Sequence, residues 1–406
     1  MATIAADAIL DPATWVQGPP DSILDELRES RPVALVNPPE GQQPAWLVTR
    51  HADVVAVSRN TATFSSRGGV VVLDDLDPDQ LDARRTMLEE DPPRHTALRR
   101  IIHEDFTPRA VRAYTDVVQT LTSIVLDAAL PRRRFDFVGH VAQELPIRVI
   151  GRLLGVADGH IDTLVGLGNR MVSEPPTPDA RLLPFGHPAA LEAFDIAVTM
   201  AAERRRHPTD DVTTRLLNGT VDGRPLTERE FLTMWLLVVI AGNETTRHAI
   251  SLGLAALLEQ PDALQRWRRD PSLDTTAAEE LLRWTTPINW HRRTVTRDTE
   301  LAGQPLAAGD KVLLSFRAAN RDPRVFDRPV ELRLDRRPNH HVTFGRGGPH
   351  FCLGAHLARL EVRTVMRTLL DRTSDIRLAG AARRLASNHF HGLLELPVEV
   401  AVEGRR

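Results

Sequence analysis

Residues 344–354 read Phe-Gly-Arg-Gly-Gly-Pro-His-Phe-Cys-Leu-Gly and contain the chain's only cysteine, Cys352. The glycines and the proline indicate a loop. Apolar residues then recur at helical spacing, at Leu353, Leu357, Leu360, Val365 and Leu369. Cys352 is therefore expected at the N-terminus of a helix, where free N–H groups and the helix dipole lower a thiol pKa and favour the thiolate. The glycines allow a flat ligand to approach the backbone closely.

A lone cysteine is often no more than a buried apolar side chain. The loop around Cys352 has little packing value of its own, which favours a functional site. Structural zinc sites normally combine two or more cysteines with histidines, and Cys352 is the only cysteine of the chain. Ligation of haem iron by a single thiolate fits the pattern better.

A second signal lies in the middle of the chain. Thr227-Glu-Arg-Glu230 has the pattern of a capping box, and a mostly apolar helical pattern follows as far as Gln260, just before Pro261. Such a helix is about 50 Å long and must lie in the centre of the fold. Its middle reads Ala-Gly-Asn-Glu-Thr-Thr over residues 241–246. A glycine and a carboxylate are both costly there, so we expect a function that compensates for them.

The composition indicates a globular protein with a large core. Of the 406 residues, 42% are hydrophobic and 26% are charged, and we find neither internal repeats nor a Gly/Ser linker. Helical periodicity dominates from Pro93 to Arg283. Short β-branched runs occur elsewhere, at 45–49, 54–57, 311–316 and 393–402. These patterns predict one domain over residues 1–406, mainly α with small β-sheets.

Charge and hydropathy exclude several classes of protein. The net charge is −3, with 51 basic and 54 acidic residues, so nucleic acid is not an expected partner. The N-terminal residues lack the pattern of a signal peptide, and a single cysteine allows no internal disulfide. The most apolar stretch, 231–242, is shorter than the roughly 18 residues that span a bilayer. We therefore expect a cytoplasmic protein without membrane insertion.

At this point the residues resemble the cytochromes P-450, the haem-thiolate monooxygenases, in their soluble bacterial form. The resemblance extends over nearly the whole chain and is strongest to actinobacterial members. The loop is similar to the family's Phe-Gly-x-Gly-x-His-x-Cys-x-Gly signature, although Phe344 and Cys352 are eight residues apart rather than seven. The resemblance implies a single-domain P-450 fold with haem b between the long central helix and the helix after the loop. It makes Cys352 the iron ligand.

The resemblance also implies a structural ion pair. Glu280-Leu-Leu-Arg283 is similar to the family's Glu-x-x-Arg motif, whose two charged groups share a helix face. An additional arginine often completes this network, and the sequence leaves three candidates open: Arg328, Arg333 and Arg336.

Further site residues follow from the same resemblance. The haem propionates are expected to contact His95, Arg99, Arg293 and His350, and the rest of the haem site includes Phe344, Gly345 and Gly354. The oxygen-activating segment is similar to residues 241–245: Ala241 and Gly242 leave room for O2, Thr245 hydrogen-bonds it and Glu244 passes protons inward from water. The substrate pocket is expected in segments 69–87, 171–188, 237–241, 288–290 and 388–391, with walls that include Leu237, Val238, Ile288, Asn289, Trp290 and Phe390.

The implied reaction is the oxidation of a hydrophobic small molecule with O2. Lipids, sterols and secondary-metabolite scaffolds are the substrate classes that the resemblance leaves open. Because the chain has no flavin or nicotinamide fingerprint, electrons must come from outside, and a ferredoxin with its NAD(P)H-dependent reductase is the family's usual supply. A basic docking face for the ferredoxin is predicted at Arg99, Arg100, Arg109 and Arg112.

Three alternatives to a monooxygenase remain from the sequence. A haem-thiolate sensor or carrier would bind gas without oxygenating a substrate, and it would not require Glu244 and Thr245. A hydrolase would use Cys352 as nucleophile with His350. His389 and His391 in one strand would form a metal site, but no clear third ligand accompanies them.

Overall fold

The computed structural model describes residues 6–38, 43–173 and 187–402 of the chain. The α-helices are α1 (Pro12–Val16), α2 (Asp21–Ser30), α3 (His51–Arg59), α4 (Pro78–Arg84), α5 (Arg94–Ile102), α6 (Pro108–Ala113), α7 (Thr115–Ala129), α8 (Glu144–Leu154), α9 (Asp158–Ser173), α10 (Ala189–Arg206), α11 (Val212–Asn218), α12 (Glu228–Leu258), α13 (Pro261–Arg269), α14 (Asp274–Thr285), α15 (Phe316–Ala319) and α16 (Ala355–Arg372). The strands are β1 (Val33–Val36), β2 (Ala45–Val48), β3 (Phe64–Ser65), β4 (Arg134–Asp136), β5 (Thr220–Val221), β6 (Arg224–Pro225), β7 (Trp290–Val295), β8 (Thr299–Leu301), β9 (Gln304–Leu306), β10 (Lys311–Ser315), β11 (Thr373–Leu378), β12 (Arg383–Arg384), β13 (Leu393–Glu395) and β14 (Pro397–Val402).

Helix α12 is the central element of the fold, as predicted. It begins with the expected capping box, in which Thr227 Oγ1 accepts from the Glu230 N–H and Glu230 accepts from the Thr227 N–H at 2.8 Å. Its 31 residues span about 46 Å. Side chains are buried along most of its length, because α8, α10, α14 and α16 pack around it.

The sheets form a small second part of the fold. Strands β1, β2, β10, β7 and β3 make a five-stranded sheet in that order, with β10 parallel to β2 and the other neighbours antiparallel. Strands β11, β14 and β4 make a three-stranded sheet. The pairing of β10 with β7 sets Val312 opposite Arg293. Along β7 itself, alternate side chains share a face, so His291 and Arg293 lie on the same side.

Two of the predicted strands differ in the structure. Residues 54–57 lie in α3, where Val54 and Val57 are buried on one helix face while Ala56 is exposed. The three β-branched valines favour a strand by propensity. The burial of Val54 and Val57, three residues apart, follows helical spacing instead. The run 393–402 is two strands, β13 and β14, that belong to different sheets. The mainly helical fold class with small sheets is otherwise confirmed. Among the described residues, none of the helices combines the length and apolarity needed to cross a bilayer.

Candidate active site

A cavity of about 880 Å³ lies between α12 and the loop that precedes α16. Leu237, Val238, Gly242 and Thr245 of α12 line one side of it, and Cys352 lines the other. Its volume is in the range that holds a cofactor or a small-molecule ligand. The cavity therefore joins the two segments that the sequence analysis singled out.

Glycines shape the cysteine loop. Gly345 and Gly347 have φ values of +71° and +80°, which disfavour other residues. At Gly348, a Cβ would overlap the carbonyl oxygen of Ser58 at the end of α3. The longer loop thus packs its glycine backbone directly against α3. The Cys352 N–H donates to the Phe344 carbonyl at 2.8 Å, and α16 begins three residues after Cys352.

Cys352 is accessible, and the space it faces is the cavity. Burial among protein atoms raises the pKa of its thiol, although the Gly354 N–H, Arg99 and Arg359 act in the opposite direction. The expectation that the helix N-terminus alone favours the thiolate was wrong, because desolvation outweighs the nearby N–H groups. A thiolate at this position would be favoured by a cation bound next to the sulfur.

Four basic side chains converge on one part of the cavity: His95, Arg99, Arg293 and His350. The rings of the two histidines lie 4.1 Å apart between centroids. Burial lowers the pKa of His95 to about 4 and that of Arg293 to about 10. His95 Nδ1 and Arg293 Nε are buried without a hydrogen-bond partner among the described residues.

Buried donors without partners normally indicate a missing acceptor. In the described part of the chain none of these four basic groups forms an ion pair with a carboxylate, which fits a ligand that carries acidic groups of its own. The adjacent glycine loop fits a flat macrocycle, and the Cys352 sulfur fits a soft metal ligand. These residues consequently fit haem, whose two propionates would meet the basic cluster.

Glu280 and Arg283 of α14 form a fully buried ion pair. Arg283 donates from Nε and Nη2 to the two carboxylate oxygens, both at 2.8 Å. Arg336 Nε donates to Glu280 Oε2 at 2.9 Å and thereby completes the network that the sequence left open. Arg333 reaches Glu280 only through its backbone N–H, and the side chains of Arg328 and Arg333 pair with Asp327 instead.

The polar segment of α12 faces the cavity. Thr245 Oγ1 donates to the Ala241 carbonyl oxygen at 2.9 Å. A Cβ at Gly242 would overlap Ile150, so this glycine also allows α8 to approach α12 closely. Glu244, one residue before Thr245, is buried, and its Oε2 lies 3.5 Å from Nε2 of His248 in the next turn.

Comparisons with known proteins agree with this geometry. The family model for cytochrome P-450 matches residues 273–374. A steroid C26-monooxygenase from Mycolicibacterium smegmatis is 35% identical over 405 residues, which cover 98% of this chain and 94% of that protein. The chain belongs to the cytochrome P-450 family.

Two further relatives of this cytochrome P-450 cover most of the chain. A methyl-branched lipid omega-hydroxylase from Mycobacterium tuberculosis is 37% identical over 369 residues, 87% of this chain and 83% of that protein. A Mycobacterium marinum cytochrome P-450 solved in complex with pseudoionone superposes with a TM-score of 0.86 at 37% identity, covering 93% and 94% of the two chains. This protein is accordingly a monooxygenase that uses haem b, O2 and a hydrophobic substrate. The sensor and hydrolase alternatives are set aside.

The cavity of this P-450 contains most of the predicted site residues. The predicted haem-contacting and oxygen-segment residues that line it are His95, Arg99, Arg293, His350, Phe344, Gly345, Gly354, Ala241, Gly242, Glu244 and Thr245. Of the predicted pocket residues, Leu237, Val238, Ile288 and Phe390 line it as well. Met171 also lines it, whereas residues 174–186 of the predicted pocket segments lie outside the described part of the chain.

Asn289 and Trp290 do not line the cavity, contrary to expectation. Asn289 is buried and donates to the Asn388 carbonyl oxygen at 3.0 Å. Trp290 packs into a separate apolar cluster, because alternation along β7 turns it away from the face that carries Arg293. The same alternation brings His291 to the cavity, a residue that sequence reasoning missed. Its position two residues before Arg293 was the available signal.

Two other expectations also change. Arg99 lines the cavity, so only Arg100, Arg109 and Arg112 of the predicted docking face are exposed.

The alternative metal site at His389 and His391 is not supported. His391 Nδ1 lies 2.5 Å from the Thr285 carbonyl oxygen. Within the described residues there is no cluster of three or more metal-ligating side chains, so the alternative metal site at His389 and His391 has no third ligand there.

Proposed function

We propose that this cytochrome P-450 inserts one oxygen atom of O2 into a carbon–hydrogen bond of a lipid or sterol. The observation that carries the proposal is the cavity, which Leu237, Val238, Ile288 and Phe390 wall with apolar side chains. A steroid and a methyl-branched lipid appear in the names of two relatives. The reaction consumes R–H, O2, two electrons and two protons, and it yields R–OH and water.

We assign the haem contacts to residues that line one cavity. Haem b, when bound, supplies the iron centre that activates O2. Cys352 Sγ would hold the iron, and Phe344, Gly345 and Gly354 let the macrocycle lie against the loop. The propionate contacts are assigned to His95, Arg99, Arg293 and His350.

The α12 residues supply protons at the site of oxygen activation. Thr245 carries a hydroxyl proton that now points to the Ala241 carbonyl, and rotation about the C–O bond would turn it toward the cavity. Glu244 is assigned to bring protons from water to this hydroxyl. Ala241 and Gly242 keep the adjacent helix surface small enough for O2. The apolar walls orient the substrate and exclude water.

Electrons are proposed to come from a ferredoxin with an NAD(P)H-dependent reductase in the cytoplasm. Three guanidinium groups, of Arg100 on α5 and of Arg109 and Arg112 on α6, are exposed and fit an acidic partner.

We propose that residues 1–406 form one haem-binding domain. A secondary-metabolite scaffold of similar polarity is the other substrate class that the apolar walls accept.

The test is a spin-state titration of the ferric protein. Cholesterol or a methyl-branched fatty acid is expected to convert the haem from low to high spin, because an apolar ligand that fills the cavity would exclude water from the iron site. With ferredoxin, reductase and NADH added, the shifting compound should yield a hydroxylated product. A shift with polyketide or peptide scaffolds alone would refute the proposed substrate class.

Thr245→Ala is expected to separate electron use from product formation. Without the hydroxyl, the second proton would no longer be directed to the oxygen atom that is to leave as water, so O2 would leave with its two electrons and two protons as hydrogen peroxide. The product formed per NADH is expected to fall by roughly tenfold and hydrogen peroxide to rise. Thr233→Ala is the matched control. Thr233 makes the same type of bond, donating to the Arg229 carbonyl at 2.9 Å on the same helix, but it does not line the cavity. Equal product yields from both variants would contradict the role of Thr245.

A further inference from the structure

Three charged or polar side chains meet in the interior beside the oxygen-activating segment. They are Glu244 and, one turn further along α12, Arg247 and His248. All three are at least 97% buried. Glu244 Oε2 lies 3.5 Å from His248 Nε2, and Glu244 Oε1 lies 3.8 Å from Arg247 Nη1. Both distances are longer than a well-formed hydrogen bond.

The Glu244 carboxylate lies near Arg247 and His248 but forms no hydrogen bond with either. Neither oxygen of Glu244 has a hydrogen-bond partner among the described residues, and the same holds for both ring nitrogens of His248. A buried carboxylate in this state is costly, and a small shift toward His248 would relieve the cost. Burial lowers the pKa of His248, so the ring is neutral and has one N–H to donate.

The position of the His248 ring is set from outside α12. A Cβ on Gly392 would overlap three ring atoms, so the ring lies flat against the backbone at this glycine. Phe390, which lines the substrate cavity, lies 6.2 Å away between ring centroids. His248 therefore has little freedom to move away from Glu244.

We propose that His248 is a positioning residue that holds the Glu244 carboxylate in the orientation from which it delivers protons toward Thr245. The inference rests on the proposed function, in which Glu244 supplies those protons. Glu244 Oε2 engages the imidazole N–H. Oε1 lies 3.8 Å from Arg247 Nη1, too far for a hydrogen bond, and so can accept a proton from a donor in the cavity. When delivery is slow, O2 takes up two electrons and two protons and leaves as hydrogen peroxide, and R–H stays unchanged.

The first test compares two substitutions of His248 in the full-length haem protein. His248→Phe keeps a ring on Gly392 but removes the N–H, and His248→Gln places an amide N–H at nearly the same reach. The probe is whichever of cholesterol or the methyl-branched fatty acid shifts the spin state. We expect His248→Phe to lower product per NADH by roughly tenfold and to enlarge the solvent deuterium isotope effect. His248→Gln should restore most of the product yield, while the substrate KM and the ferrous-carbonyl spectrum stay unchanged in both.

A second substitution approaches the ring from the other side. The added methyl of Gly392→Ala would overlap the His248 ring and displace it from Glu244. We expect this substitution to lower the product yield as His248→Phe does. It keeps the inference testable if His248→Phe fails to fold. In a Glu244→Gln background, neither substitution should lower the yield further, because both act through the carboxylate.

The outcomes separate the inference from the function on which it rests. If Glu244→Gln loses coupling but His248→Phe behaves like the wild type, His248 does not position Glu244 and the inference is overturned. The same conclusion follows if the losses from His248→Phe and Glu244→Gln multiply. If Glu244→Gln itself has no effect on product yield or isotope effect, the proton role in the proposed function fails first.

Discussion

Cys352→Ala is expected to abolish both the thiolate-type Soret band of the ferrous carbonyl complex and all monooxygenase turnover. The alanine methyl cannot ligate iron, and Cys352 is the only cysteine in the chain, so no other thiolate can replace it. Without the Cys352 thiolate, a bound haem would also lack the electron-donating ligand that this family's oxygen chemistry requires. The measurements are the carbonyl difference spectrum and product formation with NADH, ferredoxin and reductase.

His356→Ala is the matched control for this substitution. His356 is exposed on the first turn of α16, four residues after Cys352, and it does not line the cavity. It should keep a normal carbonyl spectrum, and both variants should show the same far-UV circular dichroism. A Cys352→Ala protein that retained the thiolate-type band would rule out the assigned iron ligand.

The central helix and the cysteine loop were predictable because each carries a dense local signal. The capping box at Thr227 and the apolar pattern after it define α12 to within two residues at each end. Residues 54–57 show where local reasoning fails. Three valines predict a strand, but the burial of Val54 and Val57 on one face depends on partners far away in the chain.

Site residues were predictable where a sequence motif specifies them. They were not predictable where several nearby residues were equally suitable and tertiary packing decides which of them reaches the site. The side chain of Arg336, rather than that of Arg328 or Arg333, donates to Glu280, a result that only the path of the chain between α15 and α16 determines. Trp290 and His291 differ by one position in β7, and this parity decides which of them faces the cavity. The contact between His248 and Gly392 joins residues 144 positions apart and has no sequence signature.

Glu280→Ala is expected to destabilise the folded protein by about 3–5 kcal/mol and to lower its haem content. The Glu280 carboxylate is fully buried and accepts from Arg283, Arg336, Asn339 at 3.2 Å and the Arg333 N–H at 2.9 Å. Its removal leaves two buried guanidinium groups without their counter-ion. Because the network ties α14 to the segment that leads into the cysteine loop, the loop should lose its fixed position as well.

Urea unfolding of the purified protein measures the first effect, and the pyridine haemochrome assay measures the second. Glu399→Ala is the control, since Glu399 accepts from exposed Arg377 at 2.8 Å on the surface of the three-stranded sheet. An exposed pair of this kind contributes little to the free energy of unfolding, because water and salt screen it. If Glu280→Ala and Glu399→Ala lowered the free energy of unfolding equally, the buried network would be no more than an ordinary surface pair in energetic terms. The geometry argues against that result: Arg283 also donates to the Asn320 and Pro329 carbonyls at 2.8 and 2.9 Å, so the guanidinium cannot follow the lost carboxylate into water without breaking backbone contacts.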